Sequence, residues 1–145
     1  MRAVRAIAVL IALVLVGPGH ASTAPDGAFK IIANPQTGGD TVDRDFVRDA
    51  FLKKSTEWPN GETLHPIDLA EKFREREHFT EQVIRKTPAQ LRTYWNQQIF
   101  SGKGVPPPEA DAVEDMIDYV VSTKGAIGYV PVDVDAGKAK VLKLR

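Results

Sequence analysis

The stretch EADAVEDMIDYVVSTKGAIGYV, residues 109–130, decides the fold class. Val113, Met116, Ile117, Val120 and Val121 fall at i, i+3, i+4, i+7 and i+8, one apolar stripe along a helix predicted from about Glu109 to Ser122. Gly125 follows where a helix end favours a left-handed residue, and Ala126 to Val130 then reads as a short buried strand. A helix delivered straight into a strand points to a layered α/β architecture, and the rest of the chain repeats the alternation.

Towards the C-terminus, Lys140 to Leu144 (KVLKL) reads as a second closing strand. In the other direction, Pro106, Pro107 and Pro108 make a stiff connector. Thr87-Pro88-Ala89-Gln90 opens a helix, with Thr at the cap, Pro in the first turn and Gln three residues after the cap. It runs through Leu91, Tyr94, Trp95 and Ile99 to Phe100, where Ser101-Gly102-Lys103-Gly104 stops it. Tyr94, Trp95 and Phe100, with Trp58 earlier in the chain, are expected as core anchors.

Ala70 to Lys86 is helical in pattern and crowded with charge. Phe73, Phe79, Val83 and Ile84 supply its apolar face, and one bent helix or a loop followed by a helix both satisfy it. Glu77 and Glu81 sit among Lys72, Arg74, Arg76 and Arg85, so an exposed helix laced with ion pairs is expected. Thr63 to Leu69 reads as a strand that Pro66 confines to an edge or an end, and Trp58-Pro59-Asn60-Gly61 before it is a turn. Val42 to Lys54 is predicted as a helix capped by Asp40 or Thr41, with Val42, Phe46, Val47, Ala50 and Phe51 on its buried face. Phe29 to Ala33 (FKIIA) reads as a buried strand.

The chain opens differently. Arg2 and Arg5, an apolar run from Ile7 to Val16, the helix-breaking Gly17-Pro18-Gly19 and small residues at Ala21, Ser22 and Ala24 follow the order of a secretory signal peptide. Cleavage is expected after Ala21 or Ala24. The apolar run is about half the ~20 residues that a spanning helix needs. The expected organisation is a leader over 1–24 and one domain over 25–145, periplasmic or secreted, with no membrane span after cleavage. Without the two leader arginines, 17 basic side chains stand against 19 acidic ones, which provides no basic surplus for nucleic acid. The absence of cysteine excludes a disulfide framework, thiolate catalysis and Cys-ligated zinc.

Catalytic constellations are not found. There is no Gly-x-Ser-x-Gly, and Ser55, Ser101 and Ser122 sit at turns or helix ends, where capping accounts for them. His65 and His78 are not at helical pair spacing, and a calcium loop begun at Asp133 would need Glu where Leu144 stands. Neither an enzyme nor a metal or cofactor site is therefore expected. One segment invites an anion: Thr37-Gly38-Gly39-Asp40-Thr41 joins a buried strand to a predicted helix N-terminus, where free N–H groups and the positive dipole end meet. It lacks the Gly-Lys-Ser/Thr of a nucleotide loop, and a plain capped turn is the competing reading.

The order of several short motifs resembles the phosphate ABC transporter substrate-binding family. They are Ile31-Ile32-Ala33-Asn34, Ala50-Phe51-Leu52-Lys53-Lys54, Trp58-Pro59-Asn60-Gly61, Pro66-Ile67-Asp68 and Arg76-x-x-Phe79. Tyr94-Trp95 with Phe100-Ser101-Gly102-Lys103-Gly104-x-Pro106-Pro107, and Gly125-Ala126-Ile127-Gly128-Tyr129-Val130, are the most specific. The resemblance implies a single lobe of a type-2 periplasmic-binding-protein-like fold, a mixed sheet flanked by helices. It implies an exported solute-binding-like protein for phosphate or another small oxyanion; the candidate ligand residues are Asn34 and Arg76 from the matching motifs, with Thr37, Gly38, Gly39 and Thr41 from the strand-to-helix turn. The alternative is a ligand-free periplasmic interaction module whose lobe surface contacts an envelope protein or a second copy as a homodimer. Two departures stand against the pattern. About 120 residues supply one lobe where the family has two. The family's Ser-Gly-Thr anion loop is replaced by Leu69-Ala70-Glu71-Lys72-Phe73-Arg74-Glu75-Arg76, which brings acids to that place.

Overall fold

In the computed structural model, which describes residues 26–145, Phe29–Ala33 form β1 at the centre of the sheet; the expected leader and its cleavage site lie outside the described residues. The other elements follow as β2 (Thr41–Val42), α1 (Arg44–Phe51), β3 (His65–Pro66), β4 (Asp68–Leu69) and α2 (Arg74–Phe79), which runs into a π-helical turn (Thr80–Ile84). Then come α3 (Pro88–Phe100), β5 (Glu109–Ala110), α4 (Val113–Ser122), β6 (Ala126–Pro131) and β7 (Lys140–Leu144).

The main sheet has the order β2-β7-β1-β6-β3. β1 is antiparallel to both β6 and β7, whereas β2 runs parallel to β7 and β3 parallel to β6, so the sheet is mixed. β4 and β5 form a separate parallel pair. Ile31, Ile32 and Ala33 are all buried, the continuous apolar run of a strand covered on both faces.

Successive residues of β6 show what covers each face. The Tyr129 ring stacks on Phe79 at 4.0 Å between centroids, with Phe51 and Phe29 close by, so α1 and α2 pack on that side. Gly128 points the other way, where a Cβ would collide with Met116 Sδ and press on Ile67 and Val120. Its missing side chain is what lets α4 approach the sheet. The α/β class and the mixed sheet flanked by helices are thus as expected.

Four local expectations are corrected. The helix predicted from Val42 begins only at Arg44, with Asp43 at its cap, because Thr41 and Val42 pair with Lys143 and Leu144 of β7. This long-range pairing overrides the local helical pattern. The last helix likewise begins at Val113, since Glu109 and Ala110 pair with β4. The charged segment takes one of its two expected forms, a loop followed by a short helix, but its expected lacing fails: none of its arginines pairs with its own glutamates among the described residues. Arg74 reaches Asp26, Arg76 reaches Asp68 and Glu109, and Arg85 reaches Asp45. Finally, Phe100 is 97% exposed. It lies nine residues beyond the buried Leu91, about half a turn out of phase with it, while Trp95 at i+4 stays inside. The capping box of Thr87 and Gln90 forms as the sequence suggests.

Candidate functional site

The six expected ligand residues divide between two places. Asn34 follows the end of β1, and its side chain is occupied by the backbone. Nδ2 donates to Val120 O and Val121 O at 3.1 and 3.0 Å, and Oδ1 accepts from Gln36 N. Asn34 therefore fixes the turn to the end of α4. Thr37 N donates to Asn34 O at 2.9 Å, closing that turn. The Thr37 hydroxyl is buried and has no hydrogen-bond partner among the described residues. Gly39 takes a left-handed conformation at φ 77°, and neither Gly38 nor Gly39 has a neighbour near its missing Cβ, so this backbone is open. Lys140, at the start of β7, donates to Thr37 O at 3.0 Å and lies 3.3 Å from Asp40.

Thr41 belongs to β2, not to a helix start. The N-terminus of α1 lies further on and is engaged, since Arg44 N donates to Arg145 O at 2.9 Å and Arg145 pairs with Asp43. The turn therefore offers side-chain and loop donors, without the dipole end that the sequence suggested.

Arg76 stands apart. Its helix packs against the opposite end of β1 through Phe29 and Phe79, about 16 Å along the strand from Asn34. The guanidinium is largely buried. Nε lies 3.3 Å from Asp68, while Nη1 donates to Glu109 at 2.9 Å and also to Leu69 O. The Tyr129 hydroxyl donates to Asp68 Oδ1, which also accepts from Leu69 N at 3.0 Å. One charged chain thus ties β4, β5, β6 and α2 together. Burial pushes the Asp68 carboxyl up to about 6, against the opposing pull of Arg76 and Tyr129. Burial and the same carboxylate push the Tyr129 phenol well above its ordinary range.

Arg76 also lines a cleft of about 460 Å³ between α2 and α3, closed on one side by Pro106 and Glu109. Asp68, Tyr129, Glu109 and Lys140 were not singled out from the sequence as site residues. A carboxylate between Ile67 and Leu69 in an expected strand was a legible signal for Asp68. Nothing local marked Lys140, which meets its partner across more than a hundred residues. Among the described residues no group of three His, Asp or Glu side chains could hold a metal ion, and no helix is long and apolar enough to cross a membrane.

No protein-family model and no curated protein matches the sequence. Solved structures match the fold. A protein assigned as a phosphate ABC transporter substrate-binding protein from Clostridium perfringens, solved with bound phosphate, aligns over 80% of this chain and 44% of its own. Its TM-score is 0.62 at 15% identity. An ABC-type phosphate transport receptor from Vibrio cholerae gives 0.61 at 12% identity, over 80% of this chain and 45% of its own. PstS from Borrelia burgdorferi gives 0.60 at 11%, over 81% and 47%. The chain spans less than half the length of these structures. At such identities the likeness is one of fold: the chain is built as a lobe of the type-2 periplasmic-binding-protein-like kind, as found in phosphate ABC transporter substrate-binding proteins.

Proposed function

We propose that this chain is an exported, non-catalytic solute-binding protein that takes a small oxyanion, such as phosphate, at the Asn34–Thr41 turn. The fold shared with phosphate-binding structures supports solute binding as the broad role. The observation that carries the site is the Thr37 hydroxyl, buried without a partner among the described residues on a loop whose glycines leave the backbone open. A buried hydroxyl without a partner costs about 1–3 kcal/mol, a cost that an oxyanion accepting from it would remove. The Lys140 ammonium supplies the counter-charge, shared with Asp40. Asn34 acts from behind by holding the turn, and Gly38, Gly39 and Thr41 complete its rim. Arg76 is left out of this ligand set, because Asp68 and Glu109 already balance its charge.

Isothermal titration of the mature protein with phosphate, sulfate and molybdate tests the reading. Saturable heat with one of them is expected, weakened roughly tenfold or more in Thr37→Val, which keeps the shape and removes the donor. Absence of saturable heat with all three anions would overturn it.

A further inference from the structure

The cleft between α2 and α3 has a different chemistry from the turn. Leu91, Trp95 and Ile99 of α3 give it an apolar and aromatic wall, continued by Pro88 and Pro106. Across from that wall stand Glu71, Glu77 and Glu109. Of the two cations that line the cleft among the described residues, Arg76 is already held between the buried Asp68 and Glu109, so Glu71 and Glu77 face the one remaining guanidinium, that of Arg92. The local field is therefore negative, which disfavours an oxyanion there. A volume of about 460 Å³ lies within the range of small-molecule sites and exceeds what a bare ion would fill.

We propose that this cleft is a second binding site, for an organic cation: an amine on an apolar body, its ammonium towards Glu77 and Glu71 and its body against Leu91, Trp95 and Ile99. Charge complementarity selects the head group. Trp95 favours the same choice, since the face of an indole attracts a cation as well as an apolar body. The half-exposed Ile99 stands at 52% and extends the apolar wall towards solvent, where a longer body would continue. This inference is independent of the oxyanion site, which lies at the other end of β1.

The test is calorimetric titration of the mature protein with three probes of one size, 2-phenylethylammonium, 2-phenylethanol and phenylacetate. The ammonium is expected to saturate, the alcohol to bind more weakly and the carboxylate not to bind. Glu77 is exposed and makes no ion pair among the described residues, so Glu77→Gln should fold normally and weaken the ammonium roughly threefold. Excess phosphate should leave ammonium binding unchanged, which separates this site from the turn. Binding of phenylacetate as tight as that of the ammonium, competition by phosphate, no effect of Glu77→Gln, or no saturable heat from any probe would each overturn the proposal.

Discussion

Asp68 and Thr37 are both polar side chains buried in the fold, yet among the described residues both oxygens of Asp68 have partners and the hydroxyl of Thr37 has none. Asp68 sits where four elements converge, and Tyr129, Leu69 and Arg76 close around it. Thr37 sits in a loop between β1 and β2, with open backbone beside it and one shared ammonium. The difference separates two uses of buried polarity. A closed network fixes the relative placement of strands, and adding a ligand there would mean breaking it. An open donor leaves the loop under-satisfied until something accepts from it.

The comparison breaks most visibly at Arg76. Arg76→Met should cost about 3–5 kcal/mol, because Asp68 is left as an uncompensated buried charge. Chemical denaturation at neutral pH measures it, and a loss below about 1 kcal/mol would mean that the network is not closed.

Next in size is a pH effect at Asp68. The carboxyl titrates near 3.8 when unfolded and at about 6 when folded, so the folded state holds the proton through the window between. This group's contribution to stability is therefore fully present below pH 4, falls as pH rises towards 6 and stays low above it. Asp68→Asn should gain on the wild type across that window by on the order of 2 kcal/mol, read from denaturation midpoints at several pH values. A pH-independent difference would place the carboxyl in a solvated setting.

The smallest effect is expected at the turn. Without anion, Thr37→Val should raise stability by up to about 1 kcal/mol, since it removes an unsatisfied hydroxyl. A loss of similar size would show that the hydroxyl already has a partner and would remove the contrast with Asp68.

Much of the fold was legible because its signals are local. The stripe from Val113 to Val121, the capping box at Thr87 and the apolar run of β6 each depend on neighbours within a turn or a strand. The misplacements share one cause. Val42, Glu109 and Ala110 leave their predicted helices, and Thr41 its place as a candidate cap, for two-residue strands whose partners lie far away in sequence. Such pairings leave no trace in periodicity. At the candidate site, the turn itself was readable from Gly38 and Gly39, and Arg76 was noticed as a charge partner. That Asp68 and Glu109 hold Arg76, and that Lys140 stands beside Thr37, are products of tertiary structure alone. Phe100 shows the opposite failure, since a large apolar residue at the end of a helix need not lie on its buried face.

The place of β1 in the sheet has a kinetic consequence. Ile31 pairs with Tyr129 on one side and with Leu142 on the other, so the central strand comes from the start of the domain and both its neighbours from the end. A chain emerging N-terminus first carries β1 without either partner until residues 126–144 have been made. Closing so long a loop is slow, because its entropy is lost before the pairing contributes. Nascent chains should therefore remain unfolded and open to chaperones or proteases until β6 and β7 arrive, and then fold cooperatively in one late step.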